Sequence, residues 1–100
     1  MTDVDILIAV DALDDLMHSA PAVPLTDQVR VKPDELHDRV SDVLDHLSPE
    51  QRERANAAGL VEELEALVQT AKPVPLTGQV RVDKDRMYEL LDRLRGLLYP

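Results

Sequence analysis

The chain contains no cysteine, tryptophan or phenylalanine, and only two tyrosines, Tyr88 and Tyr99. Without thiols there is no disulfide framework, thiolate zinc site, iron–sulfur cluster or cysteine nucleophile. With so few aromatic rings, a stacking platform for single-stranded nucleic acid is not expected. Positive charge is scarce: 11 Lys and Arg stand against 20 Asp and Glu, a net charge of −9. Phosphate backbones are bound by clustered cations, so a nucleic-acid partner is not expected. Glycine occurs only at positions 59, 78 and 96, which leaves no glycine-rich phosphate loop. The opening stretch MTDVDILIAVDALDDL carries five Asp and no basic leader, so it reads as neither a signal peptide nor a membrane span. With neither cysteine nor an export signal, the expected location is the cytoplasm.

What is present is 100 residues with 44% hydrophobic composition, the profile of one folded domain. The core must be built from Leu, Val, Ile, Ala and Met. The chain is also an internal repeat. Residues 23–31 read VPLTDQVRV and residues 74–82 read VPLTGQVRV, identical at eight of nine positions and offset by 51. The same offset pairs Leu13 with Leu64, Leu16 with Leu67, Met17 with Val68, Leu36 with Met87, Val40 with Leu91, Val43 with Leu94 and Leu47 with Leu98. Apolar positions thus match on both sides of the identical block. The domain is read as two repeats, 1–48 and 49–100.

Each repeat has the same order of elements. A helical stripe comes first: Ile6, Val10, Leu13 and Met17 with Leu16 in repeat one, and Leu60, Val61, Leu64, Leu67 and Val68 in repeat two. Prolines then stop the helix. Strict alternation in QVRV, at 28–31 and 79–82, predicts a short strand with its valines on one face. A second amphipathic helix closes each repeat, with Pro33 at the first helical position of one and Asp83 as the N-cap of the other. Ser48-Pro49-Glu50-Gln51 carries a capping box and starts a new helix near 49, in which Gly59 marks a bend. The expected fold is α+β, mostly helical: two pseudo-symmetric helix–strand–helix repeats around a two-stranded antiparallel ribbon. Val29, Val31, Val80 and Val82 would face the helices, and the centres of the two strands, Val29 and Val80 among them, would lie side by side.

Few residues suggest chemistry. Asp42 and His46 stand one helical turn apart, a spacing that suits a divalent ion, but a solvated acidic face explains it as well. His37 and His46 correspond to Tyr88 and Leu97, so repeat two carries no equivalent ligand set. The hydroxyl residues fill capping and turn positions, and no nucleophile–base pair is visible. The expectation is no catalytic residue, no metal and no cofactor.

Three features point instead to protein contacts. Residues 1–49 hold 11 acids and 3 bases, whereas residues 50–100 hold 9 acids and 8 bases. Either one half has drifted in sequence, or the acidic half faces a basic partner or the more basic repeat of another chain. Arg30 and Arg81 are identical between repeats and lie opposite the valines, which suggests either a carboxylate partner, from a helix or from another chain, or a charge that protects a sheet edge. Leu90 and Leu97 add a second apolar flank to the last helix, where repeat one has Arg39 and His46. With Tyr99 beyond them, they are expected at a homodimer or partner contact.

The stretch from Glu63 to Leu98, with Val74, Pro75, Leu76, Thr77, Gly78, Val80, Val82, Asp83, Glu89, Leu90, Leu91, Asp92 and Arg95, resembles the N-terminal module of bacterial DivIVA-like proteins. These include the septum-associated proteins of actinobacteria and chains described as ATP-synthase-b-like. Repeat one matches in VPLT and QVRV and departs at Lys32-Pro33. The family's long coiled coil does not follow within these residues. The resemblance implies a self-associating, non-catalytic scaffold of septation or polar growth. The alternative reading is an acidic inhibitor or antitoxin-like regulator of a basic protein.

Overall fold

Proline and capping residues cut the chain into its elements. The computed structural model describes residues 3–98. Helix α1 spans Asp3–Ser19, strand β1 Gln28–Val31, and α2 Pro33–His46. Then come α3 over Pro49–Ala57, α4 over Leu60–Thr70, β2 over Lys72–Val74, β3 over Gln79–Asp83 and α5 over Lys84–Leu98. Pro33 occupies the first turn of α2. Ser48 and Gln51 close a reciprocal capping box at α3, with Gln51 N to Ser48 Oγ at 3.2 Å and Ser48 N to Gln51 Oε1 at 2.9 Å. Such a cap contributes about 1 kcal/mol. Asp83 Oδ1 accepts from Arg86 N at 3.0 Å, capping α5.

The predicted stripes form one core. Ile6, Val10, Leu13 and Met17 of α1 join Leu36, Val40, Val43 and Leu44 of α2, Leu60 and Leu64 of α4, and Met87, Leu91 and Leu94 of α5. Within each repeat the two main helices pack on each other, α1 on α2 and α4 on α5. Between repeats α1 packs on α5 and α4 on α2. The sheet lies against α5.

Strands β1 and β3 pair antiparallel, with Gln28 opposite Asp83, Val29 opposite Val82, Arg30 opposite Arg81 and Val31 opposite Val80. A pseudo-twofold axis therefore passes between Arg30 and Arg81. Val29 and Val80 are diagonal neighbours rather than direct partners, which corrects the side-by-side expectation by one step of the alternation. The sheet is also larger than a two-stranded ribbon. β2 pairs with β3 through Lys72–Arg81, Pro73–Val80 and Val74–Gln79, giving the order β1-β3-β2. Repeat one holds the same strand in reduced form. Ala22 bridges Val29, Val23 N bonds Gln28 O at 2.9 Å, and Arg30 N bonds Pro21 O at 2.9 Å. Prolines hid these outer strands, since Pro21 and Pro73 lack a donor. On a sheet edge only one side of a strand must pair, so proline is tolerated there. Val29, Val31 and Val82 are buried, while Val80 is only half-buried.

The bend at Gly59 is a full break. Gly59 adopts φ of 77°, ending α3 and starting α4. α3 then folds back onto α4 and α5. No helix among the described residues is long and apolar enough to cross a membrane.

Candidate interaction site

The V-P-L-T turn is built twice with the same bonds. Pro24 sets the first central position and Leu25 the second, at φ of 66°. Thr26 N bonds Val23 O at 3.2 Å, its Oγ1 donates to the same oxygen at 2.8 Å, and Oγ1 accepts from Gln28 N at 3.1 Å. Thr77 repeats the set on Val74 and Gln79 at 3.3, 2.8 and 3.1 Å, with Leu76 also at φ of 66°. Proline followed by a positive φ is the pattern of a type II turn, which normally takes Gly or Asn at that position. A leucine there is strained by about 1 kcal/mol or more. Both leucines are fully exposed, at 105% and 107%. An exposed, strained, apolar residue in both repeats gains nothing from the fold itself. Sequence reading passed over these leucines because neither proline nor threonine announces the sign of φ at the residue between them.

Arg30 and Arg81 sit at the pseudo-twofold axis. Directly opposed residues share a sheet face, so Arg30, Arg81 and Lys72 form a row of three cations. None of the three side chains has a carboxylate or hydrogen-bond partner among the described residues, and Arg30 Nε is buried without an acceptor. The helix carboxylate expected for each arginine is thus absent. The edge-protection reading fails for Arg81 too, because β3 is the central strand. For Arg30 it is weakened by the Ala22 bridge beside β1.

Each arginine lines a shallow notch, and the two notches are pseudo-symmetry mates. One is formed by Leu67, Thr70 and Ala71 around Arg81, with Lys72 and Asp83 at its rim, the other by Leu16, Ser19 and Ala20 around Arg30, with Lys32 and Glu35; in each, two cations outnumber one carboxylate, which makes no ion pair with the arginine. Gln28 enters the first and its counterpart Gln79 the second. Their volumes, about 240 and about 180 Å³, fall below the roughly 300 Å³ where small-molecule sites begin.

The expected apolar flank turns at least partly inward, and Leu90 belongs to the core. Leu90 is completely buried and Leu97 is half-buried against the same core. The reason is the break at Gly59, which lays α3 across α5 and covers the side that repeat one leaves polar at Arg39 and His46. Tyr99 lies outside the described residues.

Charge is spent unevenly. In repeat two Glu63 pairs with both Arg86 and Arg93, and Arg93 also bonds Ala58 O at 3.2 Å. Arg95 reaches Asp11 at 3.3 Å and Asp14 at 3.4 Å on α1. The hydrogen bond to Glu89 and the charge of Glu63 raise the Arg86 guanidinium further above its ordinary value. Tyr88 Oη lies 2.8 Å from His18 Nδ1, and burial, with the charges of Asp14 and Asp85, raises its phenol above the ordinary value. On α2, by contrast, Asp34, Glu35, Asp42 and Asp45 are exposed and unpaired among the described residues. His46 Nδ1 bonds the backbone oxygen of Asp42 at 2.7 Å. No group of three or more His, Asp or Glu converges among the described residues.

Set against family models, characterised proteins and solved structures, the chain matches none of them.

Proposed function

We propose that the chain is a non-catalytic protein-interaction module, an adaptor or scaffold component of the cytoplasm that acts by presenting its two V-P-L-T turns. The observation that carries this reading is Leu25 and Leu76, fully exposed at positive φ on turns that repeat the same threonine hydrogen bonds. Strain kept at an exposed apolar residue is a mark of a contact made elsewhere. The resemblance of repeat two to DivIVA-like head modules adds septation or polar growth as the cellular setting, and self-association as the mode.

The test is the double change Leu25→Asn and Leu76→Asn. Asparagine tolerates left-handed backbone, so the fold should keep its stability or gain about 0.5 kcal/mol. Partner capture from the native host, or the mass seen in sedimentation, should fall together with the leucines. A double variant that binds the same proteins and has the same mass overturns the reading. A fluorescent fusion that shows no septal or polar enrichment removes the cellular setting alone.

The unpaired acids of α2 favour a second reading, an acidic regulator that neutralises a basic protein. Charge reversal at Asp34, Glu35, Asp42 and Asp45 separates the two. It abolishes binding under the second reading and spares turn-dependent binding under the first.

A further inference from the structure

We propose that the sheet face bearing Arg30, Arg81 and Lys72 docks an acidic protein with twofold symmetry, one of its carboxylate side chains entering each arginine notch. This deepens the protein-binding reading and rests on it.

Three observations converge on that partner. Register places Arg30 opposite Arg81, and Lys72 opposite Arg81 on the other side, so like charges stand directly across from one another. Such pairs cost stability. The chain has 20 acids with which to neutralise them. It spends acids on Arg86, Arg93 and Arg95 but none on this row. In a molecule of charge −9, an unneutralised cationic row suits a carboxylate from outside.

The notches then say how the carboxylates are arranged. They are mates under the pseudo-twofold axis that runs between Arg30 and Arg81, and each has room for a side chain rather than for a cofactor. A partner with its own twofold axis fills both with the same residue. A second copy of this chain laid face to face is disfavoured, because it would set one arginine row against another. Strand addition at the sheet edges is disfavoured by Pro21 and Pro73. What remains is recognition across the face.

The probe is an Asp-rich peptide, used singly and as a tandem joined by a Gly/Ser linker of about 12 residues, long enough to span about 20 Å. Binding is followed by amide chemical shifts of the full chain. Shifts should centre on residues 28–31 and 79–83. The tandem should bind at least about tenfold more tightly than the single peptide, since the second contact is intramolecular. Arg30→Gln should return the tandem to single-peptide affinity. Lys72→Gln, at an exposed position that leaves the fold untouched, should weaken the Arg81 notch alone. A tandem no tighter than the single peptide, or unchanged binding by the Arg30→Gln and Arg81→Gln double variant with its spectrum still dispersed, overturns the proposal. Loss of partner capture on changing Leu25 and Leu76 is read separately. If it persists while the peptides fail, only the symmetric acidic partner is lost.

Discussion

The two repeats share a strand almost letter for letter, yet they bury and bond differently around it. In repeat one, α1 runs unbroken from Asp3 to Ser19, with Ile8 61% exposed along its length. The residue matching Ile8 in repeat two is Gly59, whose positive φ ends α3 and starts α4 within the stretch that matches α1. The consequences run down the chain. With α3 packed on α5, Leu90 is core and Leu97 half-buried against it, while the matching flank of α2 stays polar with Arg39 and His46. Every cross-helix ion pair among the described residues also falls on α5, through Arg86, Arg93 and Arg95. At the positions matching Arg86 and Arg93, repeat one has Glu35 and Asp42, and its second helix is left with an unpaired acidic face.

The most severe way to break this difference is Leu90→Arg, which gives α5 the residue of α2. A charge at a fully buried site should cost about 4 kcal/mol or more, enough to unfold a domain of this size. The reverse exchange, Arg39→Leu, should change stability by less than about 1 kcal/mol, because Arg39 is only half-buried. Urea titrations of both variants measure the gap. Equal costs would mean that α3 does not cover α5.

Next in size is the pair of matched valines. Val29 is buried and Val80, its counterpart, half-buried. Val29→Asp should cost about 3 kcal/mol, as an unpaired buried charge does, and Val80→Asp about 1 kcal/mol. If Val80→Asp proves the costlier, the two strand faces are not buried as described.

How much of this was legible in the sequence follows from the kind of signal. The eight-of-nine match and the alternation in QVRV carried the strands, their antiparallel pairing and the pseudo-twofold relation. Ser48, Pro33 and Asp83 carried helix starts because capping is local chemistry. The outer strands were missed because proline reads as a breaker, whereas an edge needs only one side of the strand to pair. Leu90 was misplaced because a stripe shows how many apolar faces a helix has but not what covers them. Gly59 was noticed as a bend, but nothing local says which way a broken helix folds. Leu25 and Leu76 were invisible for the same reason at smaller scale, since φ of a leucine is set by the turn around it. Arg30 and Arg81 were singled out by identity between repeats. Only the register showed that they face each other rather than a carboxylate.

A smaller effect probes the break itself. No atom lies within 4 Å of the place a Cβ would take at Gly59, so only backbone strain opposes a side chain. Gly59→Ala should cost about 1–2 kcal/mol from left-handed strain, and Gly59→Asn clearly less. Ile8→Gly, the converse change in repeat one, should cost about 0.5 kcal/mol through helix propensity alone, since Ile8 faces solvent. If Gly59→Ala is neutral, the helix can straighten without loss, and the packing of α3 on α5 contributes little.

The smallest difference to measure is the tie between Tyr88 and His18. Their counterparts, His37 and Gln69, form no such bond and line an open notch between α2 and α4. Burial is the first cause of the raised Tyr88 phenol, and the carboxylates of Asp14 and Asp85 add to it. The fold therefore favours the neutral, hydrogen-bonding form. This contribution is fully present below the unfolded tyrosine value of about 10, and it is lost as pH rises through the higher folded value. In a Tyr99→Phe background only Tyr88 titrates, so phenolate absorbance should rise at a higher pH in the folded chain than in urea. Stability should fall across that same window, and Tyr88→Phe should flatten the fall. Coincident titrations in the folded and unfolded chain would show that the contact with His18 leaves the phenol as free as it is in water, and the asymmetry between the two helix pairs would then rest on α3 and the ion pairs of α5.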